Sequence, residues 1–499
     1  MSDTLQQLAG QALMVDVAGP RLGDEEAAFL QQLGARAICL FRRNVPDEAS
    51  IRRLIADLQC ALGEDILIGM DQEGGAVMRT LFLPAAPSAM ALGAVDDAEL
   101  AEKVGAAVAR GLASLGVNWN FAPVLDLNNN PANPVISERS FGEDPLKATR
   151  LARAWINGHL SEGVACCVKH FPGHGDTHTD SHLDLPVVDK PKAELRDYEL
   201  SPFAALADLA PGMMSAHIRF PTLDADWPAT LSPAILQQLL REQLGYQGVV
   251  ITDGMNMKAI RERWGQAQGS AQALAAGADL SLVLQFPDEM EESKQALIAA
   301  VSAGRLSEAR LQEAAARVDA LIRRYPSRQR DYDAAQRAAD AELFADAWRR
   351  ALTAHGQPQR PPAGATLRLV VQDQAPSDGV SEAGLSADAL IARLIAQLSR
   401  RFSLEVIRYQ RREELDWRRL PQDGRYTVVA STTRERYGAR ERAEWRPDLH
   451  LALWNPYAAA DLDAPALISY GFADAALDAV AQWLAGEIDA AGALPARLH

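Results

Sequence analysis

The stretch Val164-Ala165-Cys166-Cys167-Val168-Lys169-His170-Phe171-Pro172-Gly173-His174-Gly175-Asp176-Thr177-His178-Thr179-Asp180-Ser181-His182 begins apolar and ends polar. Its first residues form a short apolar run that reads as a buried strand. The remainder contains Pro172, Gly173 and Gly175, which break helix, together with four histidines. A buried strand that opens into a long polar loop is the setting in which an α/β enzyme carries its reactive groups.

Working outward from this stretch, apolar runs of strand length alternate with helical patterns. The strand candidates are residues 12–17, 37–41, 66–70, 118–123, 165–170, 212–215, 249–252 and 280–284. Amphipathic stretches lie between them, such as 98–115, 145–162, 193–208 and 233–244. Eight strands alternating with helices predict an α/β architecture, a (β/α)8 TIM-type barrel, over residues 1–325. A doubly wound open sheet is the structural alternative. In the barrel, Asp71 follows the third strand, Asp126 the fourth, His170 to His182 the fifth, His217 the sixth and Asp253 the seventh. Each sits at the carboxyl end of its strand, where sites of this fold collect.

Residues 326–365 read as a connector. Its charged part, from Tyr325 to Leu352, has a helical pattern, and His355 to Gly364 is a Pro- and Gly-rich linker. Beyond it, residues 367–371, 426–430, 450–454 and 466–469 are strand-like, and 387–402 and 472–490 are helical. They predict a smaller α/β sandwich domain over residues 366–499. The basic pieces around Arg411, Arg418 and Arg434 to Arg446 alternate with acids and read as solvated faces. With no cluster of catalytic residue types, this domain reads as structural or interfacial.

Composition excludes several classes of function. The chain has 499 residues, 48% hydrophobic and 23% charged, with a net charge of −16. Nucleic acid and anionic membrane are poor partners for such a charge. The first twenty residues lack a basic segment followed by a long apolar core, and no apolar run reaches membrane-spanning length. Cys39, Cys60, Cys166 and Cys167 form neither a disulfide framework nor a zinc motif, so reduced thiols in the cytoplasm are expected.

The polar loop has two competing readings. Its histidines, at 170, 174, 178 and 182, are four residues apart, which on a helix would line one face and form a metal site. The helix breakers remove the geometric meaning of that spacing. The other reading pairs Asp180 with His182, so that the carboxylate fixes the imidazole tautomer and supports its charged form for proton transfer. Asp253 has two readings as well: a helix N-cap after a strand, or a carboxylate nucleophile. Residues 127–144 carry turn formers, Asn128-Asn129-Asn130-Pro131 and Asn133-Pro134, and read either as a surface excursion or as a loop carrying Arg139 to a ligand.

Several segments together resemble glycoside hydrolase family 3, in its β-N-acetylglucosaminidase branch. They are Lys169-His170-Phe171-Pro172-Gly173-His174-Gly175 followed by Asp180-Ser181-His182; Asp71-Gln72-Glu73-Gly74-Gly75 with Arg79; Arg139-Ser140-Phe141-Gly142; Met214-Ser215-Ala216-His217; and Ile251 to Met257 around Asp253. Gly492-Ala493-Leu494-Pro495 resembles a short motif near the end of the family's second domain. The resemblance implies the barrel and an exo-acting retaining β-N-acetylglucosaminidase, with cell-wall muropeptide or chitooligosaccharide substrates. It implies Asp253 as nucleophile, His182 as acid/base oriented by Asp180, and Asp71, Arg79, Arg139, Lys169 and His170 as sugar-binding residues. His174 and His217 would shape the surroundings, Ser181 would be a spacer, and His178 has no assigned role. The partner is a small-molecule carbohydrate, with no nucleic acid or membrane, and no metal or organic cofactor is implied. A phosphorylase on the same site, another family 3 β-glycosidase and a metal-dependent barrel hydrolase are the alternatives.

Overall fold

The structure is a computed structural model that describes residues 3–285, 287–373 and 386–498. Residues 1 and 499, at the ends of the expected domains, lie outside the described residues. Eight strands, β1 (Leu13–Asp16), β2 (Ala37–Cys39), β3 (Leu67–Met70), β4 (Trp119–Asn120), β5 (Ala165–Phe171), β6 (Gly212–Ser215), β7 (Val249–Thr252) and β8 (Ser281–Val283), form one parallel sheet. Neighbours run β8-β1-β2-β3-β4-β5-β6-β7. A bridge between Ile251 and Leu280 joins the two ends. This nearly closed ring is the expected barrel and excludes the open doubly wound sheet.

The strands are shorter than the apolar runs that foretold them. In the run 118–123, only Trp119 and Asn120 are strand. Asn118 explains part of this, because its side chain takes over ladder bonds. Its Oδ1 accepts from the Ile68 amide at 2.7 Å, and its Nδ2 donates to the carbonyls of Ile66 (3.1 Å) and Tyr325 (2.8 Å). The helical stretch expected over 193–208 is two helices, Lys192–Asp197 and Ser201–Leu206. Pro202, in the first turn of the second, cannot continue an earlier helix.

Side chains alternate across the barrel wall, as the two-residue strand period requires. Met14, Cys39, Trp119, Phe121, Cys167, Met214 and Ile251 fill the interior. Leu13, Val15, Ile38, Ile68, Cys166, Val168 and Val250 face the surrounding helices. Cys166 and Cys167 thus point to opposite faces, and all four cysteines are free. Trp119 meets Phe121 edge-on at 5.2 Å. Gly212 makes room for that tryptophan, since a Cβ there would lie 2.7 Å from the indole ring.

The second sheet has six strands: β9 (Thr353–His355), β10 (Thr366–Gln372), β11 (Ser403–Tyr409), β12 (Tyr426–Ser431), β13 (Leu449–Ala452) and β14 (Ala466–Ile468). Their order is β9-β14-β13-β12-β10-β11. All pairs are parallel except β9 with β14. Two of these strands escape the sequence pattern, and both are edges. β11 is half-buried over most of its length and lacks a continuous apolar run. β9 has three residues and pairs with β14 from inside the stretch expected to be connector.

The second domain is anchored to the loops at the top of the barrel. Ser88 donates to the Tyr470 carbonyl at 2.8 Å. Ala493 donates its amide to Ala94 (3.0 Å), and Glu143 donates to Pro495 (3.1 Å), so the last residues form a strap beside the loop carrying Arg139. Gly142 at φ 133° permits this approach, because a Cβ would sit 2.4 Å from the Pro495 carbonyl oxygen. Two of the basic residues expected on solvated faces are elsewhere. Arg434 pairs with Glu138 at 2.6 Å, and Arg436 donates to the Pro131 carbonyl at 2.8 Å while pairing with Asp461. Their charges face loops of the barrel, whose partners are distant in sequence. Arg411 and Arg418 are exposed, as expected.

Gly212→Ala forces its methyl against a rigid, hydrogen-bonded indole in a close-packed interior. The expected loss is about 1–3 kcal/mol, the usual cost of overpacking. Equilibrium urea denaturation measures it, and an unchanged midpoint would show that the barrel interior yields.

Candidate active site

A cavity of about 240 Å³ opens at the carboxyl ends of the barrel strands. Asp71, Arg79, Arg139, Lys169, His170, His182 and Asp253 all line it. The loops after β3, β4, β5 and β7, with the end of β5 itself, bring them together.

One wall is a chain of alternating charges. Arg79 pairs with Asp71 at 2.8 Å, and Asp71 with Lys169 at 2.6 Å. Lys169 reaches Glu73 at 2.6 Å, and Glu73 receives Arg139 through Nε at 2.9 Å and Nη2 at 2.8 Å. Burial opposes ionisation of both carboxylates, yet the cations hold them below the usual carboxylate range: Lys169 and Arg79 for Asp71, Arg139 and Lys169 for Glu73. Burial likewise opposes the charge on Lys169, but Asp71 and Glu73 raise its pKa. The chain is therefore fully charged, with three cations and two anions. Such a set offers donors and acceptors in fixed directions, which suits the hydroxyls of a sugar ring.

Glu73 was not among the expected site residues. The signal for it was an acid two residues after Asp71 and directly before Gly74-Gly75. Asp126 was placed at a strand end but given no role. It is buried, and its Oδ2 lies 2.6 Å from His170 Nδ1. Its Oδ1 accepts the amides of His170 (3.1 Å) and His174 (2.7 Å). One carboxylate thus orients the His170 ring and shapes the turn after β5. Against the burial penalty, His170 and His174 hold it in its ionised form. Asp16, whose Oδ1 accepts the Gln285 amide at 2.9 Å, lines another side of the cavity with Arg43.

Asp253 follows β7. Its Oδ1 accepts the Gly254 amide at 2.7 Å. Burial pushes its carboxyl up, but His217, His170 and His182 around it bring the net shift below the ordinary value. His217 supports this turn from behind. It contacts the Gly254 carbonyl through Nε2 (3.0 Å) and Thr230 Oγ1 through Nδ1 (2.9 Å), and burial lowers its own pKa.

The four histidines of the polar loop take four different partners. His170 meets Asp126, and His174 meets Thr177 Oγ1 (2.9 Å) and Ser181 Oγ (3.1 Å). His178 faces Asn130 at 3.2 Å, and His182 Nδ1 meets Asp180 Oδ1 at 2.7 Å. Ser181 is therefore a buried packing and hydrogen-bonding residue rather than a spacer. Burial pushes His174 down to about 4, which keeps it neutral. Among the described residues, no three or more His, Cys, Asp or Glu side chains are grouped to hold a metal ion. Asn133 ties the loop to residues 127–144 by donating to the carbonyls of His174 (2.9 Å) and Gly175 (3.1 Å).

His182 retains 33% side-chain exposure. Burial lowers its pKa, but the hydrogen bond and charge of Asp180 outweigh this and raise it above the ordinary histidine value. Asp180 is lowered in return, against its own burial penalty. Nδ1 is committed to Asp180, so Nε2 is the nitrogen left for proton exchange in the cavity.

Asp253, His182 and the alternating charges open onto one cavity at the mouth of the barrel, a combination that suits a glycoside hydrolase. Residues 4–321 match the glycosyl hydrolase family 3 N terminal domain, and the chain belongs to that family. A glycoside hydrolase family 3 β-N-acetylglucosaminidase from Paenibacillus sp. str. FPU-7 superposes with a TM-score of 0.90 at 33% identity, covering 100% of this chain and 99% of the other. NagZ from Neisseria gonorrhoeae, in complex with N-trifluoroacetyl-D-glucosamine, is 31% identical with a TM-score of 0.53, covering 62% of this chain and 97% of its own. Beta-hexosaminidase A of Pseudoalteromonas piscicida is 37% identical over 319 residues, 56% of this chain and 53% of that protein. The chain thus spans about half the length of that relative. No helix among the described residues is long and apolar enough to cross a membrane.

Glu73→Gln leaves Arg139 without its paired carboxylate and Lys169 with Asp71 alone. Breaking a buried ion pair from one side costs about 3–5 kcal/mol. The variant is expected to melt lower than the parent by differential scanning fluorimetry and to lose affinity for sugar by calorimetric titration. Unchanged values for both would show that Glu73 carries no part of the wall.

Proposed function

We propose that this protein is an exo-acting, retaining β-N-acetylglucosaminidase that releases terminal β-linked N-acetylglucosamine from cell-wall muropeptide or chitooligosaccharide substrates. The observation that carries the reading is the common cavity of Asp253, His182 and the charged wall. The names of the relatives supply the sugar. A cavity this small suits one sugar ring, in keeping with removal of terminal residues.

In the first step the Asp253 carboxylate attacks C1 of the sugar. The bond from C1 to the leaving oxygen breaks, and that oxygen takes the proton from His182 Nε2. In the second step neutral His182 takes a proton from water, the water oxygen bonds to C1, and Asp253 departs as carboxylate. Asp180 holds the His182 ring throughout the cycle and steadies it when it is charged. Arg79, Asp71, Lys169, Arg139 and His170 hold the sugar hydroxyls. An imidazole in place of a second carboxylate does not repel anions, so phosphate is the alternative acceptor.

Turnover of an aryl β-N-acetylglucosaminide by the purified protein tests the reading, with and without phosphate and chelator. Free sugar as product, insensitive to chelator, is expected. A sugar 1-phosphate would mean a phosphorylase, loss with chelator would mean metal chemistry, and turnover of β-glucosides alone would change the sugar. Asp253→Ala is expected to abolish turnover, and full activity in that variant would sink the covalent route. His182→Ala is expected to slow natural glycosides by about 10²–10⁴-fold, the usual contribution of a general acid. Aryl glycosides with good leaving groups should slow less, because they need little protonation. Equal slowing of both would count against His182 as the acid.

The direction of the two pKa shifts sets the pH profile. Asp253 must be ionised and is lowered, so activity persists well into acid. His182 must be protonated in the first step and is raised, so the alkaline fall of kcat/KM lies above the ordinary histidine value. Asp180→Asn removes the group that raises His182, and the alkaline limb should move to lower pH. A limb that stays in place would assign it to another group.

A further inference from the structure

We infer that Arg434, from the second domain, is a positioning residue that keeps Arg139 on the sugar-binding wall by holding the competing carboxylate Glu138 away from it. The inference rests on the reading of Arg139 as a sugar-binding residue given above.

Arg139 and Glu138 are neighbours in a short 3-10 turn, Ser137–Arg139. Arg139 lines the cavity and points its guanidinium at Glu73, whereas Glu138 faces the second domain. There it receives Arg434 Nη2 at 2.6 Å and Trp454 Nε1 at 3.0 Å. The Arg434 guanidinium also lies over the Trp454 ring, 5.4 Å from its centroid. The pair is nearly inaccessible, with side-chain exposures of 9% for Arg434 and 1% for Glu138. Two buried carboxylates, Glu73 and Glu138, thus flank two guanidiniums, and each takes its own.

The two arginines meet at one atom. Arg434 Nη1 donates to the Val135 carbonyl at 2.6 Å, and Arg139 Nη1 donates to the same oxygen at 3.2 Å. Ser137, at the start of the turn, sits at φ 44°, a left-handed conformation that residues other than glycine rarely adopt. Such a conformation persists only where surrounding contacts over-determine it. Here they include Asn455, which accepts from Ser137 Oγ at 3.2 Å, and Asn128, which accepts the Ser137 amide at 3.1 Å. Asn128 is itself held by Tyr457 at 2.6 Å. Arg434, Trp454, Asn455 and Tyr457 all belong to the second domain, and none of them lines the cavity.

The physical consequence is a competition. A buried carboxylate that loses a guanidinium is costly, and the adjacent cation is the cheapest replacement. Without Arg434, Glu138 would draw Arg139 off Glu73 and Val135. That loss would appear in substrate binding, while the groups that make and break bonds, Asp253 and His182, stay in place.

The test is steady-state kinetics of the full chain on the aryl β-N-acetylglucosaminide. Arg434→Met is expected to raise KM about tenfold and change kcat less than about threefold. Arg434→Met combined with Glu138→Gln removes the competing charge and should bring KM most of the way back, a strongly non-additive pair. A purely structural role for Arg434 would not be relieved by neutralising Glu138. An unchanged KM in Arg434→Met, or a raised KM that Glu138→Gln does not relieve, overturns the inference. If Arg434→Met does not fold, Arg434→Lys serves in its place. It keeps the charge but loses the fork, and its KM should rise at least about threefold, with an unchanged KM overturning the inference. Parent protein that turns over no β-N-acetylglucosaminide would overturn the proposed function instead.

Discussion

Two carboxylates wedged among three cations at the mouth of the barrel set the terms for everything around them. Asp71 and Glu73 share the Lys169 ammonium, and each has its own arginine, Arg79 and Arg139. Burying five charges is tolerable only when every one is paired with good geometry. That condition constrains the loop after β3, the end of β5 and the turn at Ser137–Arg139 at once, because displacing any one of them strands a charge. The parallel barrel meets the condition by fixing the strand ends from which these segments start.

The two domains divide the work. The barrel supplies every charged group that faces the cavity, and the second domain braces the loop that carries one of them. The Pro495 carbonyl on Glu143, the hydrogen bond between Tyr457 and Asn128, and the Arg434–Glu138 pair all act on residues 127–144. That loop is rich in asparagine and proline and would be expected at the surface. It is mostly buried because the second domain covers it and its asparagine side chains satisfy the backbone.

Within the cavity, Asp253 and His182 are driven in opposite directions by their surroundings. The imidazoles facing Asp253 lower its pKa against burial, and Asp180 raises that of His182 against burial. Titratable groups pushed apart in this way mark out acid and base roles. Burial lowers the pKa of His174 and His217, and both rings are tied up by hydrogen bonds.

Strand count and barrel order were legible in the sequence, because a strand buried on both faces writes itself as an apolar run. The polar residues at the strand ends were legible for the same reason, since each follows such a run directly. The edge strands β9 and β11 were not, because a short or half-buried strand has no such run. The partners of Glu73, Asp126 and Arg434 were equally hidden. An acid before a pair of glycines, an aspartate after a strand and an arginine in a charged stretch look alike whether solvated or buried. Only the tertiary structure decides which opposite charge, tens or hundreds of residues away, each one meets. The sequence by itself determined the barrel and the set of chemical groups at its mouth, through local periodicity. The pairing of those charges, and the role of the second domain in holding the Arg139 loop, came from contacts between distant segments, which no local pattern encodes.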